Sequence, residues 1–245
     1  IVKLFNELDL SQVDYDLLGE AYQWILGYFA PQKAKEGEVY TPREVIKLMV
    51  RLLDVEDGST VLDPAAGSAA MLIESYKYVR DKLKERGSED EEPDLMLYGQ
   101  ERNEITAILA KLNLILNNIS DYEIYVGDSL LNPKFKTADY VLANPPWNQD
   151  GYGENTLSKD PKLRKIYRYG YPPNNTADWA WIQLMLAHSE RKMAVVIDQG
   201  VLFRGGRERE IRRRMVEMDL LEVVILLPEK LFYNTQAPGV ILVFN

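Results

Sequence analysis

Short apolar runs alternate along most of the chain with longer segments of helical periodicity. The apolar runs predict seven strands, at residues 60–62, 95–98, 123–126, 138–143, 194–197, 221–227 and 239–244. Apolar residues spaced three or four positions apart predict helices between them, at residues 41–53, 69–85, 103–117, 178–190 and 207–218. This alternation predicts an α/β fold with a doubly wound, mainly parallel sheet that is covered on both faces.

A helical lead-in precedes the alternating region. Residues 14–30 carry apolar side chains at helical spacing, and a polar linker follows through residue 38. Thr41, Pro42 and Glu44 then predict a helix start, with Thr41 as the N-cap. We therefore expect a helical segment over residues 1–36 and an α/β domain over residues 37–245. Because the chain begins at Ile1 and ends on an apolar strand, we expect a fragment of a longer protein.

Composition excludes several kinds of site. The chain has no cysteine, which excludes disulfides and thiolate metal sites and suits a cytoplasmic protein. Its single histidine, His188, disfavours a histidine metal cluster and a Ser-His-Asp triad, so we expect no metal. Because no apolar run is long enough for a membrane span and no signal peptide is evident, we expect no membrane association.

The formal charge of −9 disfavours a protein that binds nucleic acid unaided. The charge is uneven, however, because residues 159–168 and 204–214 are basic. A solvated helix face is the default interpretation of the second stretch. The first stretch places a tyrosine among its cations, which favours contact with nucleic acid. Our candidate contact residues are Lys162, Arg164, Lys165, Tyr167, Arg168 and Arg204.

Polar residues fall at the carboxyl ends of four successive predicted strands: Asp63, Glu101, Asp128 and Asn144. Open α/β sheets bind their ligands at that edge. The loop at residues 63–70 is small and acidic and lacks both dinucleotide and P-loop glycine spacing, which favours a ligand without phosphates. Each acid alone is also typical of a turn or a helix cap.

Two of these acids suggest a nucleoside. Glu101 is placed to accept ribose hydroxyls, and Asp128 is placed to accept from an adenine amine. Together with the acidic loop, they suit a nucleoside with a positively charged amino-acid tail. S-adenosylmethionine is such a molecule.

The tetrapeptide Asn144-Pro145-Pro146-Trp147 ends the fourth strand abruptly, because prolines fix φ and remove backbone donors. It presents a side-chain amide, free carbonyl oxygens and a flat indole ring. These groups suit a planar ligand that carries an amine, since the oxygens accept from the NH2 while the indole stacks. A proline-stiffened loop with a packing tryptophan is the alternative.

The chain resembles the methylation subunit of type I restriction-modification systems, within the adenine-N6 DNA methyltransferases. The resemblance runs from about residue 19 to the end and is carried by seven ordered motifs: 37–42 (GEVYTP), 63–68 (DPAAGS), 99–103 (GQERN), 127–130 (GDSL), 144–147 (NPPW), 200–206 (GVLFRGG) and 227–235. It implies a Rossmann-like methyltransferase domain at residues 37–245, preceded by the tail of a truncated helical domain.

The resemblance also implies roles for individual residues. It implies methyl transfer from S-adenosylmethionine to N6 of an adenine flipped out of DNA. The implied catalytic residues are Asn144, Pro145, Pro146 and Trp147. The implied cofactor-binding residues are Tyr40, Thr41, Pro42, Asp63, Pro64, Ala65, Gly67, Ser68, Glu101, Arg102, Asn103, Asp128, Ser129 and Asn144.

Two positions depart from the family pattern. Ala69 and Ala70 follow Ser68 where the family usually has glycine, so cofactor affinity falls if the backbone there needs a positive φ. Residues 198–200 (DQG) replace a more usual Pro-Asn/His-Gly, which affects the local turn shape.

The implied partners are double-stranded DNA, a specificity subunit, a second methylation subunit and an optional restriction subunit. Four alternatives stay open: a cytosine-N4 methyltransferase, a self-sufficient enzyme or methylase–nuclease fusion, a non-catalytic cofactor-binding assembly subunit, and a glutamine-modifying protein methyltransferase. The cytosine enzymes usually begin the tetrapeptide with Ser or Asp, and the glutamine enzymes normally have Tyr in place of Trp147.

Overall fold

A computed structural model describes residues 41–88, 91–232 and 237–245. The helix expected at residues 14–30, the proposed boundary between residues 36 and 37, and Tyr40 lie outside these residues. The described helices are α1 (Arg43–Leu53), α2 (Ala70–Glu85), α3 (Glu104–Leu116), α4 (Glu154–Leu157), α5 (Asp178–His188) and α6 (Gly206–Glu217). The strands are β1 (Thr60–Asp63), β2 (Met96–Glu101), β3 (Tyr122–Val126), β4 (Ala138–Ala143), β5 (Ser189–Asp198), β6 (Leu221–Leu226) and β7 (Gly239–Phe244).

The seven strands form one sheet in the order β3-β2-β1-β4-β5-β7-β6. The first five strands are parallel, and β7 runs antiparallel to both β5 and β6. The chain crosses outward from β1 through β2 to β3 and then returns to β4, so the order reverses between β1 and β4. The predicted mainly parallel, doubly wound sheet is confirmed. A reversal of this kind places a crevice at the carboxyl ends of β1 and β4.

Helices cover both faces of the sheet. Buried side chains of α1, α2 and α3 join one hydrophobic cluster, and those of α5 and α6 join a second cluster on the other face. Strand β7 is buried at every position, because it lies between two strands and under both layers. Among the described residues, the helices are too short or too polar to cross a lipid bilayer.

The start of α1 differs from the sequence expectation. The helix begins at Arg43 with Pro42 at the N-cap, and no side chain caps it. The prediction that Thr41 caps this helix is therefore wrong. The hydroxyl of Thr41 instead accepts a hydrogen bond from Asn144, at the end of β4, so a tertiary contact takes the group that local sequence assigned to capping.

Candidate active site

The loop after β1 is held by a buried carboxylate. Asp63 is 2% exposed, and its Oδ1 accepts from the backbone N–H of Ala65 at 3.0 Å. Burial raises the pKa of Asp63 to about 8; the Ala65 N–H lowers it, and the negative charge of Glu101 raises it further. The structure therefore holds an acid whose charge depends on what binds beside it.

Backbone conformation in this loop is unusual at two neighbouring positions. Gly67 has φ +51°, and Ala69 has φ +65° in the left-handed region directly before α2. The backbone at residue 69 thus has the positive φ that the family's glycine accommodates without strain. The amide of Asn113, on α3, donates to the carbonyl of Ser68 at 2.7 Å and fixes the end of the loop.

Glu101 ties the end of β2 to the loop. Its Oε2 accepts from the N–H of Gly67 at 3.0 Å, and its Oε1 accepts from the N–H of Asn103 at 2.8 Å. Each carboxylate oxygen keeps a further lone pair for a ligand hydroxyl. The Asn103 side chain is occupied as the N-cap of α3, where it accepts from the N–H of Thr106 at 3.1 Å.

Asp128 lies at the end of β3 in a network that sequence reasoning missed. Its Oδ2 accepts from the hydroxyl of Tyr152 at 2.6 Å, and its Oδ1 accepts from the N–H of Leu130 at 3.0 Å. Arg102 donates to the same Tyr152 hydroxyl at 3.3 Å. Burial and the carboxylate of Asp128 raise the pKa of Tyr152 to about 12, so the phenol stays protonated.

Ser129 connects two of these loops from inside the protein. The side chain is buried, and its hydroxyl donates to the carbonyl of Pro64 at 2.6 Å. This contact joins the end of β3 to the loop after β1. The structure thus gives Ser129 a supporting position beneath the loop.

The side chain of Asn144 is oriented at both ends of its amide. Nδ2 donates to the hydroxyl of Thr41 at 2.8 Å, and Oδ1 accepts from Nε1 of Trp147 at 2.9 Å. Pro145 is buried, whereas Pro146 is exposed. The tetrapeptide is therefore anchored through its first proline and its first and last side chains.

Trp147 packs edge to face on Phe232, with ring centroids 4.7 Å apart and planes at 64°. A Cβ at Gly239 would lie 2.9 Å from both rings, so the close approach of β7 requires glycine there. Phe232 belongs to a matched motif, but the sequence analysis assigned this residue no role. The signal available was the aromatic pair Phe232-Tyr233 directly before the strand that ends the chain.

The sheet order brings the four strand-end residues together. Glu101 and Asp63 end β2 and β1, while Asp128 and Asn144 come just after β3 and β4. In the order β3, β2, β1, β4, these strands are consecutive neighbours in the sheet. The predicted polar edge is therefore a single continuous row. Among the described residues, no group of three or more His, Cys, Asp or Glu side chains is arranged to hold a metal ion.

The candidate nucleic-acid contacts divide into two groups. Lys162, Arg164, Lys165 and Arg168 are exposed on and beside a short 3-10 helix at Pro161–Lys165. Tyr167 is 2% exposed, and its hydroxyl donates to the carbonyl of Leu130 at 2.6 Å, so its prediction as a contact residue is wrong. The Tyr167 ring packs inward beside Leu163, in the hydrophobic cluster on that face of the sheet.

Arg204 is also not available as predicted. Its guanidinium donates to Glu208 at 2.7 Å, to Asp198 at 3.0 Å and to the fully buried Asp178. It further donates to Oδ1 of Asn148 at 2.9 Å. Because all three guanidinium nitrogens bond groups of the protein itself, Arg204 holds three carboxylates together, and its prediction as a DNA contact is wrong.

Comparison with known proteins shows the family to which this chain belongs. The N-6 DNA methylase family matches residues 13–245, and the chain belongs to that family. It is 58% identical, over its whole length, to the type I restriction enzyme MjaVII methylase subunit of Methanocaldococcus jannaschii, of which it covers 42%. It is 32% identical over 94% of its length to the HindI methylase subunit of Haemophilus influenzae, of which it covers 51%.

A solved structure shows the same architecture. The type I restriction-modification system methyltransferase subunit from Streptococcus thermophilus superposes with a TM-score of 0.85 at 30% identity. The match covers 99% of this chain and 52% of that protein. The chain thus spans about half the length of the relatives that it matches, and they extend well beyond the described domain.

Proposed function

We propose that this chain transfers a methyl group from S-adenosylmethionine to N6 of an adenine in DNA, as the modification subunit of a type I restriction-modification complex. One observation carries the proposal. The oriented amide of Asn144 follows β4, next to the strand whose end carries Asp63, with Glu101 one strand further along. The amide that would hold the acceptor amine and the carboxylates that would bind the methyl donor therefore share one edge of the sheet.

The residues present fit the cofactor. The loop at residues 63–68 contains no basic side chain, which disfavours phosphates, and its small residues let a ligand approach the backbone. Asp63 would favour a positively charged group, because that charge offsets the cost of ionising a buried carboxyl. Glu101 retains lone pairs for ribose hydroxyls, and Asp128 and Tyr152 form a polar border for the adenine. When bound, S-adenosylmethionine supplies an activated methyl on a sulfonium.

The chain's own residues would position the acceptor amine. The Oδ1 of Asn144 and the carbonyl oxygen of Pro145 would accept the two hydrogens of N6, which aims the nitrogen lone pair at the methyl group. Extruding the base costs a few kcal/mol, and stacking on an aromatic ring returns about 1–3 kcal/mol. Trp147 would supply that stacking, while its indole N–H and the Thr41 hydroxyl keep the amide in place. Positioning would then supply most of the catalysis.

We expect this chain to act within a complex of several subunits. The relatives are named as methylase subunits of type I restriction enzymes, so we expect this chain to work with a specificity subunit that selects the DNA site. The expected complex also contains a second methylation subunit and, optionally, a restriction subunit. The net charge of −9 supports the need for help in DNA binding. We place the assembly in the cytoplasm, where its DNA substrate lies.

The test is substitution of the acceptor-binding amide. Asn144→Ala should abolish adenine-N6 methylation, measured by methylome sequencing of a host that expresses the intact complex. Calorimetric binding of S-adenosylmethionine should stay nearly unchanged, whereas Glu101→Ala should weaken it. Asn155→Ala, which removes an exposed amide from α4, is the matched control and should methylate normally. Full methylation by Asn144→Ala would refute the assignment.

A further inference from the structure

The positive charge of this acidic chain is concentrated in two stretches that lie far apart in sequence. Residues 159–168 and 204–214 together contain 11 of the 29 lysines and arginines but only 3 of the 38 acidic residues. Sequence reasoning assigned the second stretch to a solvated helix face. The structure changes that interpretation, because it packs the loop that directly follows the first stretch against the helix that carries the second.

Several contacts join helix α6, which carries the second stretch, to residues 169–171, which directly follow the first stretch. Nη1 of Arg214, on α6, donates to the carbonyl of Tyr169 at 2.7 Å. A Cβ at Gly170 would lie 3.3 Å from Ile211, which shows how closely the loop packs on the helix. The guanidinium of Arg168 lies 4.9 Å from the centroid of the Tyr169 ring, so the first stretch continues directly into this contact.

A groove of about 590 Å³ runs between the loop at residues 169–171 and the first turns of α6. Its walls include Tyr169, Tyr171, Arg207, Arg209 and Arg214, together with Glu154 and Glu210. The two carboxylates are engaged, since Glu154 pairs with Arg207 at 2.9 Å and Glu210 pairs with Arg213 at 3.1 Å. The groove is therefore lined by tyrosines and by more cations than acids.

Four cations on this surface are available to a ligand. Lys162, Arg164, Lys165 and Arg209 are exposed, and their charged groups make no ion pair within the described parts of the chain. By contrast, the guanidinium of Arg212 donates to two backbone carbonyls, of Val201 and Arg204. The unpaired cations thus lie on the 3-10 helix and at the start of α6.

The surface lies at the same sheet edge as the active site. Seven residues separate the end of β5 from the start of α6, and β5 is the sheet neighbour of β4, which Asn144 directly follows. Arg204 connects the two regions directly, because it bonds both Asp198 at the end of β5 and Asn148, the residue after Trp147. A ligand bound at the groove would extend toward the adenine platform.

We propose that the 3-10 helix, the groove and the first turns of α6 form one basic surface that binds the phosphate backbone of duplex DNA beside the flipped adenine. The inference rests on the proposed function and adds α6 to the DNA-binding surface. The positive charge of this surface is complementary to a phosphate backbone, because arginine N–H groups donate to phosphate oxygens. Such contacts require no particular base sequence. Binding here would fix the duplex while specificity is determined elsewhere.

The test is the salt dependence of binding to a fluorescein-labelled DNA duplex by the intact complex. Each lost phosphate contact lowers the slope of log K against log salt by about 0.9 in magnitude. Arg209→Ala and Arg164→Ala should each show that decrease and weaker binding. Lys111→Ala removes one exposed charge from α3, on the opposite face of the sheet, and should leave the slope unchanged. Calorimetric cofactor binding should be the same in all three variants.

The outcomes separate this inference from the proposed function. Parental salt slopes in both arginine variants would overturn the inference, even if the parent methylates adenine. Parental slopes combined with loss of a co-purifying subunit would assign the surface to a protein partner and also overturn it. Reduced slopes in a complex that transfers no methyl group to DNA would support the surface and refute the proposed activity.

Discussion

The amide nitrogen of Asn144 lies 2.8 Å from the hydroxyl oxygen of Thr41, a residue 103 positions earlier in the chain. An asparagine amide has two orientations related by a half-turn, and hydrogen-bond partners decide between them. Thr41 accepts from the nitrogen, and the indole of Trp147 donates to the oxygen. Together these contacts select the orientation in which the oxygen lies beside the ring proposed to stack on adenine.

Thr41→Val should lower kcat for methyl transfer by about 10-fold or more, because misplacement of a reacting group is costly even when binding persists. Valine keeps the shape of threonine but removes the acceptor that orients Asn144. The KM for DNA should change far less than kcat. Thr41→Ser keeps the hydroxyl and should restore most of the rate. A larger loss in Thr41→Ser than in Thr41→Val would show that Thr41 acts through packing.

The positions of the chemical residues along the strands could be predicted from sequence. Apolar runs defined the strands, and each of Asp63, Glu101, Asp128 and Asn144 lies at the end of its strand or within two residues of that end, as expected. The prediction worked because a parallel sheet aligns its carboxyl ends whatever the side chains are. Whether these residues bind the ligands proposed for them stays a prediction.

The contacts between loops could not be predicted. Tyr152 reaches Asp128 from a long loop that has no periodicity, so nothing local indicated its partner. Tyr167 lies among cations and was assigned to the surface, although its ring packs inward. Thr41 matched a capping pattern, but its hydroxyl bonds a residue more than one hundred positions away. In each case a tertiary contact decided the role of the side chain.

Ala69→Gly should stabilise the protein by up to about 1 kcal/mol. Ala69 has φ +65°, and a left-handed conformation costs a non-glycine residue about 1–2 kcal/mol. Loss of its buried methyl group offsets about 0.8 kcal/mol of that gain. Chemical denaturation measures the change. Because the strained peptide borders the cofactor loop, we also expect tighter binding of S-adenosylmethionine by calorimetry.

The neighbouring alanine is the matched control for this prediction. Ala70 is the first residue of α2 and has no positive φ for glycine to relieve, while glycine loses more conformational freedom on folding than alanine. Ala70→Gly should therefore destabilise the protein while Ala69→Gly does not. Destabilisation by the same amount in both variants would show that the positive φ at residue 69 carries no strain.

Asp63 should make the protein less stable as the pH rises from about 4 to 8. Burial raises the pKa of Asp63 to about 8 in the folded state, and an unfolded aspartate titrates near about 3.9. Below both values each state holds the proton, so the residue contributes no pH dependence. Between them only the folded state holds it, and the free energy of unfolding falls by about 1.4 kcal/mol per pH unit.

Asp63→Asn removes this ionisation and should flatten that part of the stability profile, measured by denaturation at several pH values. Asp150→Asn changes an exposed aspartate and should keep the parental profile. In the parent, a cationic cofactor should displace the proton of Asp63 at pH 7. The calorimetric enthalpy of binding should then vary with the ionisation enthalpy of the buffer. The same enthalpy in every buffer would count against this role for Asp63.

Arg204→Met should destabilise the protein by about 3–5 kcal/mol, because removing one partner leaves buried charges uncompensated. Burial raises the pKa of both Asp178 and Glu208, and the guanidinium of Arg204 opposes that rise. Without the arginine both carboxyls should stay protonated in the folded state, so the deficit should be small near pH 4 and grow toward neutral pH. Arg213→Met breaks only exposed ion pairs, which solvent screens, and should cost far less than Arg204→Met. Similar, pH-independent losses in the two variants would show that Arg204 stabilises through packing of its aliphatic stem.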